Sequence, residues 1–146
     1  KHLELCRKLS NEYQKYIDPK VVGIGILVKD NKILLVKRAI EPGYGKWSMP
    51  SGFINRFEKV ENAVERELME ECGVKVKAEW ISGVYSKKES PIILLVWNLK
   101  LISGIPKPLD ETLEVDFFEL DNLPNLAFDH DENIIKDWLE KTKSFN

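Results

Sequence analysis

The sequence predicts a single α+β domain, and three observations lead to that prediction. The chain of 146 residues is long enough for one domain of ordinary size. Hydrophobic residues make up 43% of it, which allows a substantial core without disulfides. Strand patterns dominate, with one helical pattern among them and one at each end. These observations exclude a disordered tail, a collagen and a disulfide-stapled mini-protein.

The first elements are predicted to be a helix and a β-hairpin. Residues 1–16 carry apolar side chains at loose helical spacing, and Asp18-Pro19 ends that pattern. Continuous, largely β-branched runs over residues 21–28 and 33–36 flank a short polar turn. Two such runs around a turn predict a β-hairpin.

A long loop and an interior helix are predicted next. Glycine and proline interrupt residues 39–51, and a loop of this length inside a compact domain is usually functional. Residues 59–72 are rich in helix formers and contain neither glycine nor proline. The pair Cys72-Gly73 then predicts the end of the helix, because glycine readily adopts the left-handed conformation of a helix C-cap.

Three strands and a terminal helix complete the predicted order. The strand patterns cover residues 74–86, 91–101 and 113–120. Residues 129–143 carry apolar side chains at helical spacing, at positions 134, 135, 138 and 139. Asp129 precedes that pattern and is the predicted N-cap.

Charge and cysteine content narrow the function. Lys and Arg total 22 against 24 Asp and Glu, a formal net charge of -2, so the chain lacks the basic footprint of a nucleic-acid binder. No apolar run approaches the ~20 residues of a membrane-spanning helix. Cys6 and Cys72 are isolated, which excludes a zinc site and is typical of a reduced, cytoplasmic chain. We therefore expect no nucleic-acid partner and no membrane association.

Carboxylates interrupt the apolar face of the predicted interior helix. At about 100° per residue, the apolar stripe consists of Val60, Ala63, Val64 and Leu68. Glu67 and Glu71 fall within that stripe, and Glu70 lies at its edge. A buried carboxylate needs a nearby cation or a shifted pKa. Oxygen ligands without neighbouring His or Cys suit Mg²⁺ or Mn²⁺, whereas a salt-bridged helix with Arg66 near Glu70 is the alternative.

The spacing around these glutamates resembles a known family. The pattern GX5EX7REUXEEXGU, in which U is aliphatic, is the Nudix box. It is matched at every specified position by Gly52, Glu58, Arg66-Glu67-Leu68, Glu70-Glu71 and Gly73-Val74. Further segments look like the ADP-ribose pyrophosphatase-like branch of the Nudix hydrolase family, over residues 16–22, 38–43, 45–50 and 113–118.

The resemblance implies a Nudix fold, a mixed β-sheet sandwiched between helices (an α/β/α sandwich). We divide the chain into an N-terminal helical extension over residues 1–18 and a Nudix hydrolase domain over residues 19–146. The family implies hydrolysis of a nucleoside diphosphate linked to another moiety, with Mg²⁺ or Mn²⁺ as cofactor. The expected partner is a small-molecule nucleotide diphosphate, first of all ADP-ribose, cleaved to AMP and ribose 5-phosphate; a homodimer stays open.

Matching the box residue by residue implies the site. Glu67, Glu70 and Glu71 match the metal-binding glutamates, and the carbonyl of Gly52 matches a backbone ligand. Arg66 matches the arginine that orients the glutamates, so Arg66, Glu67 and Glu70 are expected to take part in catalysis.

Four residues outside the box are predicted to complete the site. Glu114 is matched to a further carboxylate that accepts a proton from water or binds another metal ion. Arg38 is expected to meet phosphate, and Tyr44 and Trp47 to stack on a nucleotide. Alternatives stay open for all four: a solvated strand end for Arg38, an acidic strand edge for Glu114, and a structural role without base stacking for Tyr44 and Trp47.

Three other functions are alternatives to ADP-ribose hydrolysis. A FAD- or NADH-type dinucleotide diphosphatase would use the same box, as would a house-cleaning nucleoside triphosphate pyrophosphatase. A non-catalytic nucleotide-sugar sensing module would bind without cleaving. Such a module has no need for mutually repelling carboxylates on an apolar stripe, which argues against it.

Overall fold

The computed structural model describes residues 2–5 and 18–144 and follows the predicted order of elements. Helix α1 (Val60–Cys72) lies between two groups of strands, and helix α2 (Asp131–Ser144) ends the described chain. The strands are β1 (Lys20–Lys29), β2 (Lys32–Arg38), β3 (Trp47–Ser48), β4 (Ser51–Phe53), β5 (Lys75–Ser86), β6 (Ile92–Ser103) and β7 (Thr112–Glu119).

Strand β1 is the centre of a mixed sheet with the strand order β3-β2-β1-β6-β5. It runs parallel to β6 and antiparallel to both β2 and β4. Strand β7 pairs antiparallel with β2. Within the β1–β4 ladder Gly23 lies opposite Gly52, so the first residue of the box is held against the central strand.

The sheet separates two hydrophobic clusters, one under each helix. Because successive side chains of a strand point to opposite faces, Leu34 packs into the α1 cluster and Leu35 into the α2 cluster. Helix α1 contributes buried Val64 and Leu68 to its cluster. Helix α2 contributes buried Ile134, Ile135 and Trp138 to the other. This layering confirms the predicted sheet sandwiched between helices.

Local turns explain where two elements end. Asp30 and Asn31 both have positive φ angles, 53° and 62°, as a two-residue hairpin turn between β1 and β2 requires. Gly73 ends α1 with a φ of 70°, and its N–H donates to the carbonyl of Met69 at 3.0 Å. The hairpin and the interior helix are therefore confirmed.

The C-terminal helix corrects one expectation. Asp129 is not its N-cap, because α2 begins at Asp131 and the N–H of Ile134 donates to the carbonyl of His130 at 3.0 Å. The Asp131 carboxylate accepts from the N–H of Phe128 at 3.3 Å, which turns the chain just before the helix. The loop predicted over residues 39–51 also contains the short strand β3 and the first residue of β4.

The N-terminal extension is described only in part. Residues 2–5 are helical, and the rest of the helix predicted over residues 1–16 lies outside the described residues. Within the described ranges, no helix combines the length and the apolar character that crossing a membrane would require.

Candidate active site

Glu67 and Glu71 on α1 lie against β4, which shields their carboxylates from much of the solvent. The Glu67 side chain is 12% exposed, and the Glu70 side chain, nearer the rim, is 44% exposed. A Cβ atom at Gly52 would overlap the Glu67 carboxylate. Glycine at this position therefore leaves room for the Glu67 carboxylate directly against β4.

Arg66 organises the loop and the helix of the box. Its Nε and Nη2 donate to the two carboxylate oxygens of Glu58 at 2.8 and 2.9 Å, a bidentate pair. Nη1 donates to Glu67 at 2.8 Å and to Glu70 at 3.2 Å, and Nη2 also reaches the carbonyl of Phe53 at 3.1 Å. Hydrogen bonds from Arg66 and from the N–H of Asn55 lower the pKa of Glu58 to about 2.

Glu71 is the least compensated of the glutamates. Burial, reinforced by repulsion from Glu67, raises the pKa of Glu71 to about 8. The N–H of Ser51 donates to its carboxylate, but Oε2 is buried without a partner among the described residues. Burial likewise raises the pKa of Glu67, against the opposing influence of Arg66. A cation close to both carboxylates would remove this electrostatic cost.

The donor set fits a hard divalent cation. It consists of the carboxylates of Glu67, Glu70 and Glu71 with the neighbouring carbonyl of Gly52, and Mg²⁺ and Mn²⁺ prefer such oxygen ligands. In their present rotamers no three acidic, His or Cys side chains of residues 2–5 and 18–144 stand close enough together to hold an ion. Arg66 draws Glu67 and Glu70 to itself, so ligation would require both carboxylates to turn from the guanidinium.

These glutamates line one end of a cleft of about 1260 Å³. The cleft runs from α1 across β1 and β4 to the first turn of α2. Apart from the box residues, its charged side chains are Arg38, Lys87, Asp110, Glu111, Asp131 and Asp137. The volume exceeds that of a single drug-sized pocket, so both moieties of a linked diphosphate have room.

The structure does not bring Glu114 to the glutamates. Its carboxylate, on β7, pairs with Lys37 Nζ at 3.0 Å and is 60% exposed, and Glu114 is not one of the described residues that line the cleft. Glu111 lines the cleft instead, and its charge contributes to the raised pKa of Glu71.

A backbone contact explains why Glu111 lies there. The N–H groups of Lys107 and Leu109 donate to the carbonyls of Cys72 and Glu71, each at 3.0 Å. These carbonyls are among the last of α1, which have no partner within the helix. The segment before Glu111 is thus fastened to the end of the helix that carries the glutamates.

Of the three residues predicted to contact substrate, Arg38 lines the cleft and Tyr44 and Trp47 do not. Arg38 lines the cleft, donates from Nε to the carbonyl of Pro42 at 2.7 Å, and lies 5.0 Å from the ring centroid of Phe128. Tyr44 is 57% exposed, and Trp47 packs edge-to-face on Phe118 with centroids 4.7 Å apart. Neither Tyr44 nor Trp47 belongs to the described residues that line the cleft.

Sequence reasoning missed three cleft residues. Glu111 lies in the acidic run from Asp110, but the strand alternation drew attention to Glu114 instead. The sequence did not predict that Ser48 and Asp131 line the cleft, because a lone serine in a loop and an acidic residue in the first turn of a helix are both common. Only the tertiary structure shows that they are buried in the cleft.

Comparisons with known proteins agree with this geometry. A family model described as NUDIX domain matches residues 19–139. An ADP-ribose pyrophosphatase of Methanocaldococcus jannaschii is 45% identical over 132 residues, which span 88% of this chain and 78% of that protein. A NUDIX hydrolase structure from Nitrosomonas europaea superposes with a TM-score of 0.82 at 32% identity, over 88% of this chain and 74% of that one.

A second solved structure has the same fold. It is an ADP-ribose pyrophosphatase from Streptococcus suis, with a TM-score of 0.76 and 27% identity over 88% of this chain and 95% of that one. The family match covers most of the chain, including the whole box and the cleft. The chain therefore belongs to the Nudix hydrolase family.

Proposed function

We propose that the chain hydrolyses ADP-ribose to AMP and ribose 5-phosphate with Mg²⁺ as cofactor. The observation that carries the proposal is the cluster of Glu67, Glu70 and Glu71 beside Gly52, at one end of a cleft of about 1260 Å³. The 45% identity to the Methanocaldococcus jannaschii ADP-ribose pyrophosphatase supports this choice of substrate.

The box residues would hold the cation, since Nudix hydrolases generally use a divalent metal. When bound, Mg²⁺ neutralises the diphosphate charge and makes a bound water more acidic. The chain itself positions the glutamates. Arg66 fixes the loop of the box onto the helix through Glu58, and Gly52 leaves room for the Glu67 carboxylate. In the reaction the water oxygen joins one phosphorus, and one P–O bond of the diphosphate bridge breaks.

Glu111 is the group that we assign as proton acceptor for the attacking water. It lines the cleft within electrostatic reach of Glu71 and is exposed. Among the described residues it has no ion-pair partner such as Lys37 is for Glu114. Two backbone hydrogen bonds to the end of α1 precede it in the chain, so its backbone position is tied to that of the glutamates. A base placed in this way accepts the proton as the phosphorus–oxygen bond forms.

A substrate panel tests the proposal. The protein is incubated with ADP-ribose, NADH, FAD and a nucleoside triphosphate, each with Mg²⁺ and with a chelator, and the products are separated by ion-exchange chromatography. We expect the highest kcat/KM for ADP-ribose, with AMP and ribose 5-phosphate in equal amounts. Inorganic pyrophosphate released from the triphosphate at a higher kcat/KM would overturn the proposal in favour of a triphosphate pyrophosphatase.

A further inference from the structure

Glu65 is an acidic residue of α1 that has no part in the chemistry described above. It lies between the fixed box residues Glu58 and Arg66, at a position where the box pattern specifies no residue type. Its partly buried carboxylate accepts a hydrogen bond from the backbone N–H of Ala78 on β5 at 2.9 Å. This contact joins the helix that carries the box glutamates to a strand of the main sheet.

A local irregularity of β5 accompanies this contact. β5 ends the strand order of the sheet, next to β6. The register of their pairing shifts between Ala78, which lies opposite Leu99, and Trp80, which lies opposite Asn98. Such a bulge bends the strand and interrupts its ladder, and an edge strand also has N–H groups that no second strand binds. Glu65 supplies the acceptor for the Ala78 N–H at this place.

Glu65 and Glu67 lie on opposite flanks of the buried face of α1. At 3.6 residues per turn their side chains are about 160° apart around the helix axis, with the buried apolar stripe between them. On the Glu67 flank the helix is held to β4, where Arg66 donates to the carbonyl of Phe53 at 3.1 Å. On the Glu65 flank it is held to β5. The contacts on the two flanks together oppose rotation of α1 about its axis.

The apolar contacts beneath the helix restrict its rotation less. α1 packs on β1 at two glycines: a Cβ atom at Gly23 would lie 3.6 Å from Cβ of Val64, and one at Gly25 would lie 3.0 Å from Cδ2 of Leu68. Glycine has no side chain that could interlock with those of the helix, and hydrophobic burial has no preferred direction. The angle at which α1 turns its carboxylates toward β4 therefore depends on the polar contacts of its flanks.

A small rotation is enough to disturb the glutamates. The side chains of an α-helix end about 5–6 Å from its axis, so a rotation of about 10° moves them by about 1 Å. Metal–ligand distances in proteins keep to within about 0.2 Å of their usual values. Loss of the Glu65 contact would therefore weaken metal binding although every ligand is still present.

We propose that Glu65 is a positioning residue: its hydrogen bond to β5 fixes the rotation of α1, so that Glu67 and Glu71 can bind the cation beside Gly52. This inference rests on the proposed metal-dependent hydrolysis, because it concerns the same glutamates. The donor is an uncharged backbone N–H, so the acceptor oxygen matters rather than the charge of Glu65. Replacing a residue that orients metal ligands typically lowers metal affinity or activity by about 10–100-fold.

Three variants of Glu65 separate the hydrogen bond from the charge. Glu65→Ala removes both, whereas Glu65→Gln keeps an acceptor oxygen and loses the charge. Glu65→Asp keeps the charge, but its carboxylate is one methylene group shorter and does not reach Ala78. Glu61→Ala is the matched control, because it removes a glutamate one turn earlier on the same helix, where the partner is Lys59.

Two of the measurements need no substrate. Isothermal titration of the metal-free protein with Mn²⁺ gives the metal affinity, and hydrogen exchange followed by NMR gives the protection of the Ala78 N–H. Thermal unfolding in chelator shows whether each variant folds. Steady-state kinetics with ADP-ribose at saturating Mg²⁺ are measured in parallel.

We expect Glu65→Ala and Glu65→Asp to bind Mn²⁺ about tenfold more weakly than the wild type or worse, with faster exchange of the Ala78 N–H. Glu65→Gln and Glu61→Ala should stay within about threefold of the wild-type affinity. The kcat of Glu65→Ala and Glu65→Asp should fall even at saturating Mg²⁺, because more metal does not correct misplaced ligands.

Wild-type Mn²⁺ affinity in Glu65→Ala or Glu65→Asp would overturn the positioning role, even if the unfolding midpoint in chelator is lower, since the hydrogen bond would then serve stability alone. An equal loss of affinity in Glu65→Gln or in Glu61→Ala would overturn it as well. If Glu65→Ala does not fold, the comparison of Glu65→Asp with Glu65→Gln decides.

The outcomes separate this inference from the proposed function. Cleavage of ADP-ribose by a wild type whose Mn²⁺ affinity does not depend on Glu65 refutes the positioning role alone. A Mn²⁺ affinity that depends on Glu65, in a protein that does not cleave ADP-ribose, refutes the proposed hydrolysis alone. A wild type that binds no Mn²⁺ refutes both.

Discussion

Arg66 and Gly52 show how single residues set the geometry of the candidate site. The guanidinium of Arg66 contacts Glu58, Glu67 and Glu70 at once, which a lysine ammonium could not do with the same fixed fork. Gly52 matters because it has no side chain: the Glu67 carboxylate occupies the space that a Cβ atom would fill. The site thus depends on one large planar cation and one missing side chain.

Replacing Gly52 tests this packing. In Gly52→Ala we expect Glu67 to move, since the new Cβ meets the flexible end of a side chain rather than backbone. Turnover should fall by about tenfold or more, because a small misplacement of reacting groups is costly. The matched control is Gly23→Ala on the opposite strand, where the nearest contact of a new Cβ is an ordinary 3.6 Å. Equal activity of the two variants would contradict the role of Gly52.

Neutralising the buried glutamates tests the metal site. In Glu67→Gln and Glu71→Gln we expect turnover at saturating Mg²⁺ to fall by about 10²-fold or more, since each removes a charged ligand. The fold should persist, and in chelator the variants should be at least as stable, because a neutral amide costs less to bury than a carboxylate. Glu61→Gln, near the start of the same helix, is the control for turnover and for the unfolding midpoint.

At the scale of elements, the segment between β6 and β7 determines which acidic residue reaches the cleft. Its N–H groups at Lys107 and Leu109 bind the last carbonyls of α1, so the following residues Asp110 and Glu111 turn toward the glutamates. Once β7 begins, Glu114 points to Lys37 on the neighbouring strand.

A pair of variants distinguishes the two carboxylates. Glu111→Gln should lower kcat by roughly 10²-fold, the usual contribution of a positioned base, with little change in the metal requirement. Glu114→Gln removes an exposed ion pair that contributes at most about 1 kcal/mol, so its kcat should match that of the wild type. Steady-state kinetics of both variants decide. The reverse result would restore Glu114 to the catalytic role that strand alternation suggested.

Sequence patterns predicted these elements well and the loops poorly, for physical reasons. Periodicity over the hairpin and α1 reflects burial of one face, and it placed Glu67 and Glu71 on the inner side of the helix. Glu111, Ser48 and Asp131 occupy loops or element ends, where position depends on long-range hydrogen bonds such as Leu109 to Glu71. No local pattern carries that information.

At the scale of the whole molecule, each face of the sheet carries its own helix and its own hydrophobic cluster. Helix α1 presents charged oxygen ligands on one side of the cleft, and α2 presents Asp131 across it, each anchored in its own hydrophobic cluster. The central strand β1 belongs to both, with Leu27 in one cluster and Ile26 in the other. The sandwich thereby keeps the two ends of the cleft at a fixed separation.

Asp131 also makes a prediction for the stability of the whole fold. Its pKa rises from 3.8 to about 7 on folding, so the native state disfavours the charged form. Ionisation of Asp131 therefore lowers the free energy of unfolding of the wild type as pH rises from about 4 to about 7, by on the order of a few kcal/mol. Asp131→Asn removes that loss, and the difference in unfolding free energy between variant and wild type should grow from pH 4 to pH 8.

Urea unfolding at both pH values measures this difference, and subtracting the wild-type curve cancels the titrating groups that do not interact with residue 131. Asp129→Asn is exposed and should show no such growth. A difference that stays constant or shrinks with pH would show that burial does not disfavour the charged carboxylate of Asp131.

Product analysis of ADP-ribose incubated with the wild type and with Glu67→Gln, each with Mg²⁺ and with chelator, tests the central claim most directly. We expect AMP and ribose 5-phosphate in equal amounts from the wild type with Mg²⁺, and almost none in the other three reactions. Undiminished products in chelator, or from Glu67→Gln with Mg²⁺, would contradict metal-dependent hydrolysis at the glutamates of α1.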